Sequence, residues 1–397
     1  MSVTLQSNAG QARLSRRFAN TIPSILAVAV CGLLLSAGLG QAETHWNLQA
    51  VNANGVNAWT GPFPNTVVGV LTTDPDEMLD ATPNFIPWNG GANMFNLGAQ
   101  WQIVVQAAWP GDRLGTFCYM GQNYGNMPFN GSDELSYSNE AWAAEIERLN
   151  HDPATGHAFR KGDLVSVTFN AAAFFGGKLN INETHRIDPV YDFSISLVAS
   201  NYGLPAPEVL SLVSLVRTND NDPTTFEDIF DATRATGGEH YQGMRVRLNG
   251  LSLVTTNGWN PTNSWGDRLL SVTDGENRFF SLRHPRYDLG PVPTNTFDAI
   301  GILNQESGSG GQGTNRYELF VQEIVPSEPA VLNIAYQPVI TWPASLANYQ
   351  LQYTNTLGGS GDWMPVTNPP VLVNGRWTVI QDSTEVQSRF YRLQRVQ

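Results

Sequence analysis

Cysteine is nearly absent from this 397-residue chain, with two in all. Cys31 falls within an apolar N-terminal run, so beyond that run only Cys118 remains and no intramolecular disulfide can form. Thr116-Phe117-Cys118-Tyr119-Met120 reads as a strand, and a buried, inert thiol is expected there rather than a nucleophile. Charge is also thin, at 14% of residues, and histidine numbers six. Four catalytic signatures are missing: the Gly-x-Ser-x-Gly elbow, the His-Glu-x-x-His zinc helix, the phosphate-binding Gly-x-x-x-x-Gly-Lys and the Cys-x-x-Cys pair. Their absence lowers the expectation of an enzyme. A glycosidase remains open, because its carboxylate pair comes from distant segments and leaves no local pattern.

Basic residues are few as well, 22 against 35 acids. Residues 1–42 hold three of the arginines and no acid, leaving 19 bases and a formal charge of −16 on the rest. Nucleic acid is bound through lysine and arginine, so such a chain has no general attraction for it. Disorder is excluded by 41% hydrophobic residues and 11 tryptophans. Low charge with abundant glycine and proline points to an all-β protein of two or three domains.

Residues 1–42 have the layout of a secretory signal. Arg13, Arg16 and Arg17 precede an apolar run from Ile22 to Leu39, and small residues lead to a cleavage point after Ala42. Pro23, Gly32, Ser36 and Gly38 interrupt the run, so no stable membrane span is expected after cleavage, and the destination is secreted or periplasmic.

Residues 43–215 read as one β unit. Strands are predicted at 67–72, 101–106, 115–119, 163–169, 174–181 and 193–198. One helix is predicted after Ser138 as N-cap, with Trp142, Ile146 and Leu149 at helical spacing. Residues 216–240 read as a linker. A second β unit spans 241–326, with a long strand at 244–253 and a hairpin across Asp274-Gly275. Two further strands lie at 296–303 and 317–324. Residues 330–397 form a small module of short strands punctuated by Pro369-Pro370 and Asn374-Gly375.

Three strands, a helix, then further strands is the layout of an OB fold, a five-stranded barrel. Gly162-Asp163-Leu164-Val165-Ser166-Val167 and Phe175-Gly176-Gly177-Lys178-Leu179-Asn180-Ile181 resemble the fourth and fifth strands of OB-like domains in exported bacterial proteins, some of which accompany secreted nucleases. Ile340-Thr341-Trp342-Pro343, Tyr349-Gln350-Leu351-Gln352 and Phe390-Tyr391-Arg392-Leu393 are similar to fibronectin type III-like or immunoglobulin-like modules. The resemblance implies two OB-fold-like barrels, the first with one inserted helix, followed by a β-sandwich that serves as spacer or adhesion module.

OB barrels bind ligands over strands two and three, beside the loops joining strands one to two and four to five. In the second unit these loops are 255–265 and 304–315. Trp259 and Trp265 are of a type that stacks on sugars or bases, with Arg283 and His284 nearby, although indoles in such a loop also fold back to cap a barrel. The densest polar cluster elsewhere is Glu183, His185 and Asp188, a candidate metal or acid–base set set against the simpler reading of a solvated strand end. Asp74, Asp76, Glu77 and Asp80, and Asp220, Asp222, Glu227 and Asp228, have the oxygen chemistry of calcium sites. Neither keeps EF-hand spacing, and solvated turns are expected, with no cofactor. The reading favoured is an exported modular binding or structural protein acting on carbohydrate or a cell surface. The alternatives are a secreted hydrolase using Glu183, His185 and Asp188, or a single-strand nucleic-acid binder, which the negative charge disfavours.

Overall fold

The computed structural model describes residues 42–90, 96–128, 130–182, 192–307, 313–326, 339–356, 363–380 and 389–396. Residues 1–41 of the segment expected as a signal, and Glu183, His185 and Asp188, lie outside these. The chain is mainly β and forms two compact units, which divide near residue 330.

The larger unit opens with a seven-stranded sheet. Its strands are β1 (Asn65–Leu71), β2 (Gln100–Ala107), β3 (Gly115–Gly121), β4 (Leu164–Phe169), β5 (Ala172–Phe175), β6 (Lys178–Asn182) and β7 (Phe193–Ala199), in the spatial order β5-β6-β3-β2-β1-β4-β7. Only Asn170 and Ala171 separate β4 from β5, yet five strand spacings lie between them in that order. A flat sheet would hold them about 24 Å apart, whereas three virtual bonds span at most about 11 Å. The sheet must therefore curl until β4 and β5 meet, enclosing a core of Trp101, Val105, Cys118, Trp142, Val167 and Ile181. The helix Asn139–Asn150 packs against this core. Ser138 caps it by accepting the Ala141 amide at 3.2 Å, and Trp142 and Leu149 turn inward.

Further along lie β8 (Glu208–Leu210), β9 (Val216–Asn219), β10 (Asp222–Asp228), β11 (Arg245–Leu253), β12 (Leu269–Thr273), β13 (Phe279–Arg283), β14 (Phe297–Gln305) and β15 (Tyr317–Pro326). The last five close into a barrel in which each strand is bonded to two others, in the order β11-β12-β13-β15-β14-β11. The β13–β15 pair is parallel and the others are antiparallel. β11 serves both sides because its register shifts between Leu248 and Leu251, around Gly250, whose φ of +69° favours glycine. The Gly250 amide is held by Asp298 at 2.9 Å. Alternation places Phe280 and Leu282, Leu270 and Val272, and Val246 and Leu248 in one core.

Residues 208–216 belong to this second core and not to the first. β8 pairs in parallel with β11, and Leu210, Leu212, Leu215 and Val216 pack with the barrel interior. The stretch expected as a linker is ordered too: β9 and β10 form a hairpin of their own.

The two parts of this unit are joined through their cores. Along β2, Ile103 and Val105 face the first core. Val104, between them, packs outward with Phe117 on Ile302 and Phe320 of the barrel. Gly115 and Gly243 meet backbone to backbone, where a Cβ on Gly115 would lie 2.2 Å from the Gly243 carbonyl.

The smaller unit contains two antiparallel sheets. One joins β16 (Val339–Pro343), β20 (Arg376–Ile380) and β19 (Val371–Val373). The other joins β18 (Met364–Pro365), β17 (Tyr349–Thr354) and β21 (Phe390–Arg395). Trp342, Leu351 and Val379 form its buried core.

Candidate functional site

The four residues expected to meet a ligand are engaged in packing. Trp259 is half-buried, donates Nε1–H to the Gly290 carbonyl at 3.0 Å and sets its ring edge against His284, 5.2 Å between centroids. His284 is fully buried, and burial lowers its pKa. Arg283, also buried, gives its guanidinium to Glu318 with contacts of 2.8–3.1 Å and covers the face of Trp265 at 4.0 Å. Trp265 meets Phe320 edge-on at 5.6 Å and belongs to the cluster joining the two parts of the unit. It works as a plug there. Trp265→Ala is expected to lower the unfolding free energy by about 2–3 kcal/mol, below the range for a fully buried tryptophan because the ring is half-buried. A urea midpoint unchanged from the parent would refute this role.

Asp74, Glu77 and Asp80 of the first acidic run turn their carboxylates to protein partners. Glu77 is buried, receives Lys161 Nζ at 3.0 Å and the Gln322 amide at 2.8 Å, and accepts the Asp74 amide at 3.1 Å. Burial raises its pKa against the pull of Lys161. Asp80 meets Arg286 at 2.9 Å. These groups line a recess of ≈ 470 Å³. Among the described residues no three His, Cys, Asp or Glu side chains converge as metal ligands. Burial drives the Cys118 thiol far up in pKa, which keeps it protonated and unreactive.

A larger cleft, ≈ 620 Å³, lies elsewhere, on the closed five-stranded barrel. Because β13 and β15 run parallel, their first residues sit side by side. This brings Asn277 and Phe279 next to Asn315 and Arg316, and the β9–β10 hairpin supplies Phe226 and Asp228 as the opposite wall. Phe280 points into the core, so Phe279 points outward, and it is 54% exposed. Asp228 accepts the Arg316 amide at 2.6 Å. Burial raises its carboxyl, against the hydrogen bonds from the Arg316 and Tyr317 amides. Asn277 and Arg316 both hold left-handed backbone, at φ of 61° and 63°. That conformation is ordinary for asparagine in a turn and less so for arginine. The cleft thus presents an aromatic face among amides, a carboxylate and a cation.

This site left no local signal. Its residues come from three separated segments, and the exposed Phe279 is an ordinary strand residue until its neighbours are known.

Comparison with protein-family models, curated proteins and solved structures found no match. Among the described residues no helix is long and apolar enough to cross a membrane.

Proposed function

We propose that this chain is an exported, modular, noncatalytic binding protein whose cleft on the second barrel takes a saccharide. In this reading both parts of the larger unit are OB-fold-like barrels and the last module is a fibronectin type III- or immunoglobulin-like sandwich. Support for the first point is the closed strand order β11-β12-β13-β15-β14, with strand three parallel to strand five. The basic, apolar and small-residue layout of residues 1–42 supports export.

One observation carries the ligand class: the exposed ring of Phe279 stands beside Asn277, Asn315 and Asp228 in a single cleft. A pyranose has an apolar C–H face and a rim of hydroxyls. An aromatic plate with planar hydrogen-bonding groups at its edge suits both. The matching face of the first barrel is covered, since Val104 and Phe117 pack on Ile302 and Phe320. This directs binding to the second.

The test is a glycan array followed by titration calorimetry with the parent and Phe279→Ala. Phe279 is a surface residue, so the variant is expected to keep its stability within about 0.5 kcal/mol and to lose roughly tenfold or more in affinity, the scale of one stacking contact. Retention of no glycan, or unchanged affinity in the variant, would reject the assignment.

A further inference from the structure

The cleft contains a cation whose guanidinium makes no contact of its own. Arg316 uses its backbone amide on Asp228, but among the described residues its guanidinium has no hydrogen-bond or ion-pair partner, and the residue is exposed. The acids around it are differently placed. Asp228 spends its carboxylate on the Arg316 and Tyr317 amides, and Glu227 is paired with Arg217 at 2.8 Å. Arg278, behind Phe226, is held by Asp274 at 2.9 Å and Glu276 at 2.6 Å. Amide hydrogen bonds leave the Asp228 charge in place, so what the site offers is one guanidinium without a contact of its own, in the same cleft as the exposed Phe279.

We propose that the saccharide is one containing a uronic acid, its ring on Phe279 and its carboxylate on the Arg316 guanidinium. This rests on the saccharide reading of the cleft. Guanidinium is a planar fork that matches a carboxylate with two parallel N–H···O bonds, and such charge-assisted bonds are about twice as strong as neutral ones. A single negative charge fits best. A phosphomonoester carries close to two, and the Asp228 carboxylate opposes it more strongly than it opposes a single charge. The surplus of acids across the chain also repels dense polyanions at long range, so recognition has to be local, by ring and carboxylate together.

Titration calorimetry with hexamers of galacturonate, mannuronate and glucuronate, each beside its fully methyl-esterified form, tests this on the parent, Arg316→Gln and Phe279→Ala. The ester keeps the ring and removes the charge. The expected result is that at least one acid binds roughly 10- to 100-fold more tightly than its ester, the scale of one charge-assisted pair. Arg316→Gln should bring the acid down to the ester's affinity and leave the ester unchanged, and Phe279→Ala should weaken both. Circular dichroism of each variant checks the fold. Acid and ester binding equally, with Arg316→Gln silent and Phe279→Ala still damaging, overturns the uronate and leaves the saccharide cleft standing. Binding of neutral glycans only has the same meaning. Binding of no saccharide removes both.

Discussion

Lys178→Met is expected to lower the unfolding free energy by about 2–3 kcal/mol, less than for a fully buried charge pair because the Glu306 side chain is 29% exposed. Lys178 is 2% exposed. Its ammonium donates to the Gln305 carbonyl and to Glu306 Oε1 at 3.2 Å, and lies 5.1 Å over the Phe117 ring. From there a polar chain runs inward: Asn304 Nδ2 donates to Glu306 at 3.0 Å and to Glu318 at 3.1 Å, and Glu318 holds Arg283. Burial alone raises the Glu306 carboxyl, but Lys178 and the Asn304 hydrogen bond outweigh it and leave the group below its usual value. Without the ammonium, Glu306 faces Glu318 with Arg283 as the nearest cation to offset two acids. Lys178 comes from β6 and its acceptors from the end of β14, so the loss falls on the join between the two parts of the larger unit. The measurement is urea unfolding of the parent, Lys178→Met and Lys178→Met/Glu306→Leu. The double variant should recover more than half of the loss, because an ion pair replaced by apolar groups of similar size is close to neutral. A single variant within about 1 kcal/mol of the parent would show the pair to be dispensable.

A second large effect is expected with pH. Glu239 is 1% exposed and accepts the Tyr317 hydroxyl at 2.7 Å. Burial raises its pKa from 4.5 to about 7, against the pull of Tyr317 and of Arg234. A carboxyl raised on folding binds its proton better in the native state. Its stabilising contribution is therefore complete below pH 4.5 and is lost as the pH climbs through 7. The shift corresponds to about 3 kcal/mol. Glu239→Gln keeps an acceptor for Tyr317 and cannot ionise, so its stability relative to the parent should rise by about that amount between pH 4 and pH 8. Burial raises Glu77, Asp228 and Glu318 in the same direction, which is why the difference between the two proteins is the informative quantity. Parallel stability profiles across that range would rule out Glu239 as a source of pH dependence.

Much of the strand pattern was legible before any coordinates. The helix after Ser138, the hairpin at Asp274-Gly275 and the strands at 65–71, 164–169 and 245–253 follow from rules acting over a few residues: capping, turn chemistry, and alternation of apolar and polar side chains. β8 and the β9–β10 hairpin were not legible. β8 is three residues long and pairs in parallel with a strand more than thirty residues away, so it leaves almost no periodic pattern. The packing of the loop tryptophans was not legible for a related reason. Trp259 and Trp265 in a polar loop are the kind of aromatics that bind ligands, but an indole that caps and one that displays its face look alike in sequence. Hydrogen bonding to Gly290 and stacking under Arg283 separate the two, and both partners are non-local.

By itself, then, the sequence determined the β class and most element spans, because backbone preference and side-chain period are short-range properties. The tertiary structure alone decided which faces are covered and which remain open. It placed Val104 and Phe117 inside a join and left Phe279 outside, because burial depends on strands paired across large separations. The curled first sheet, the closed barrel and the cleft at the start of β13 and β15 all follow from that pairing.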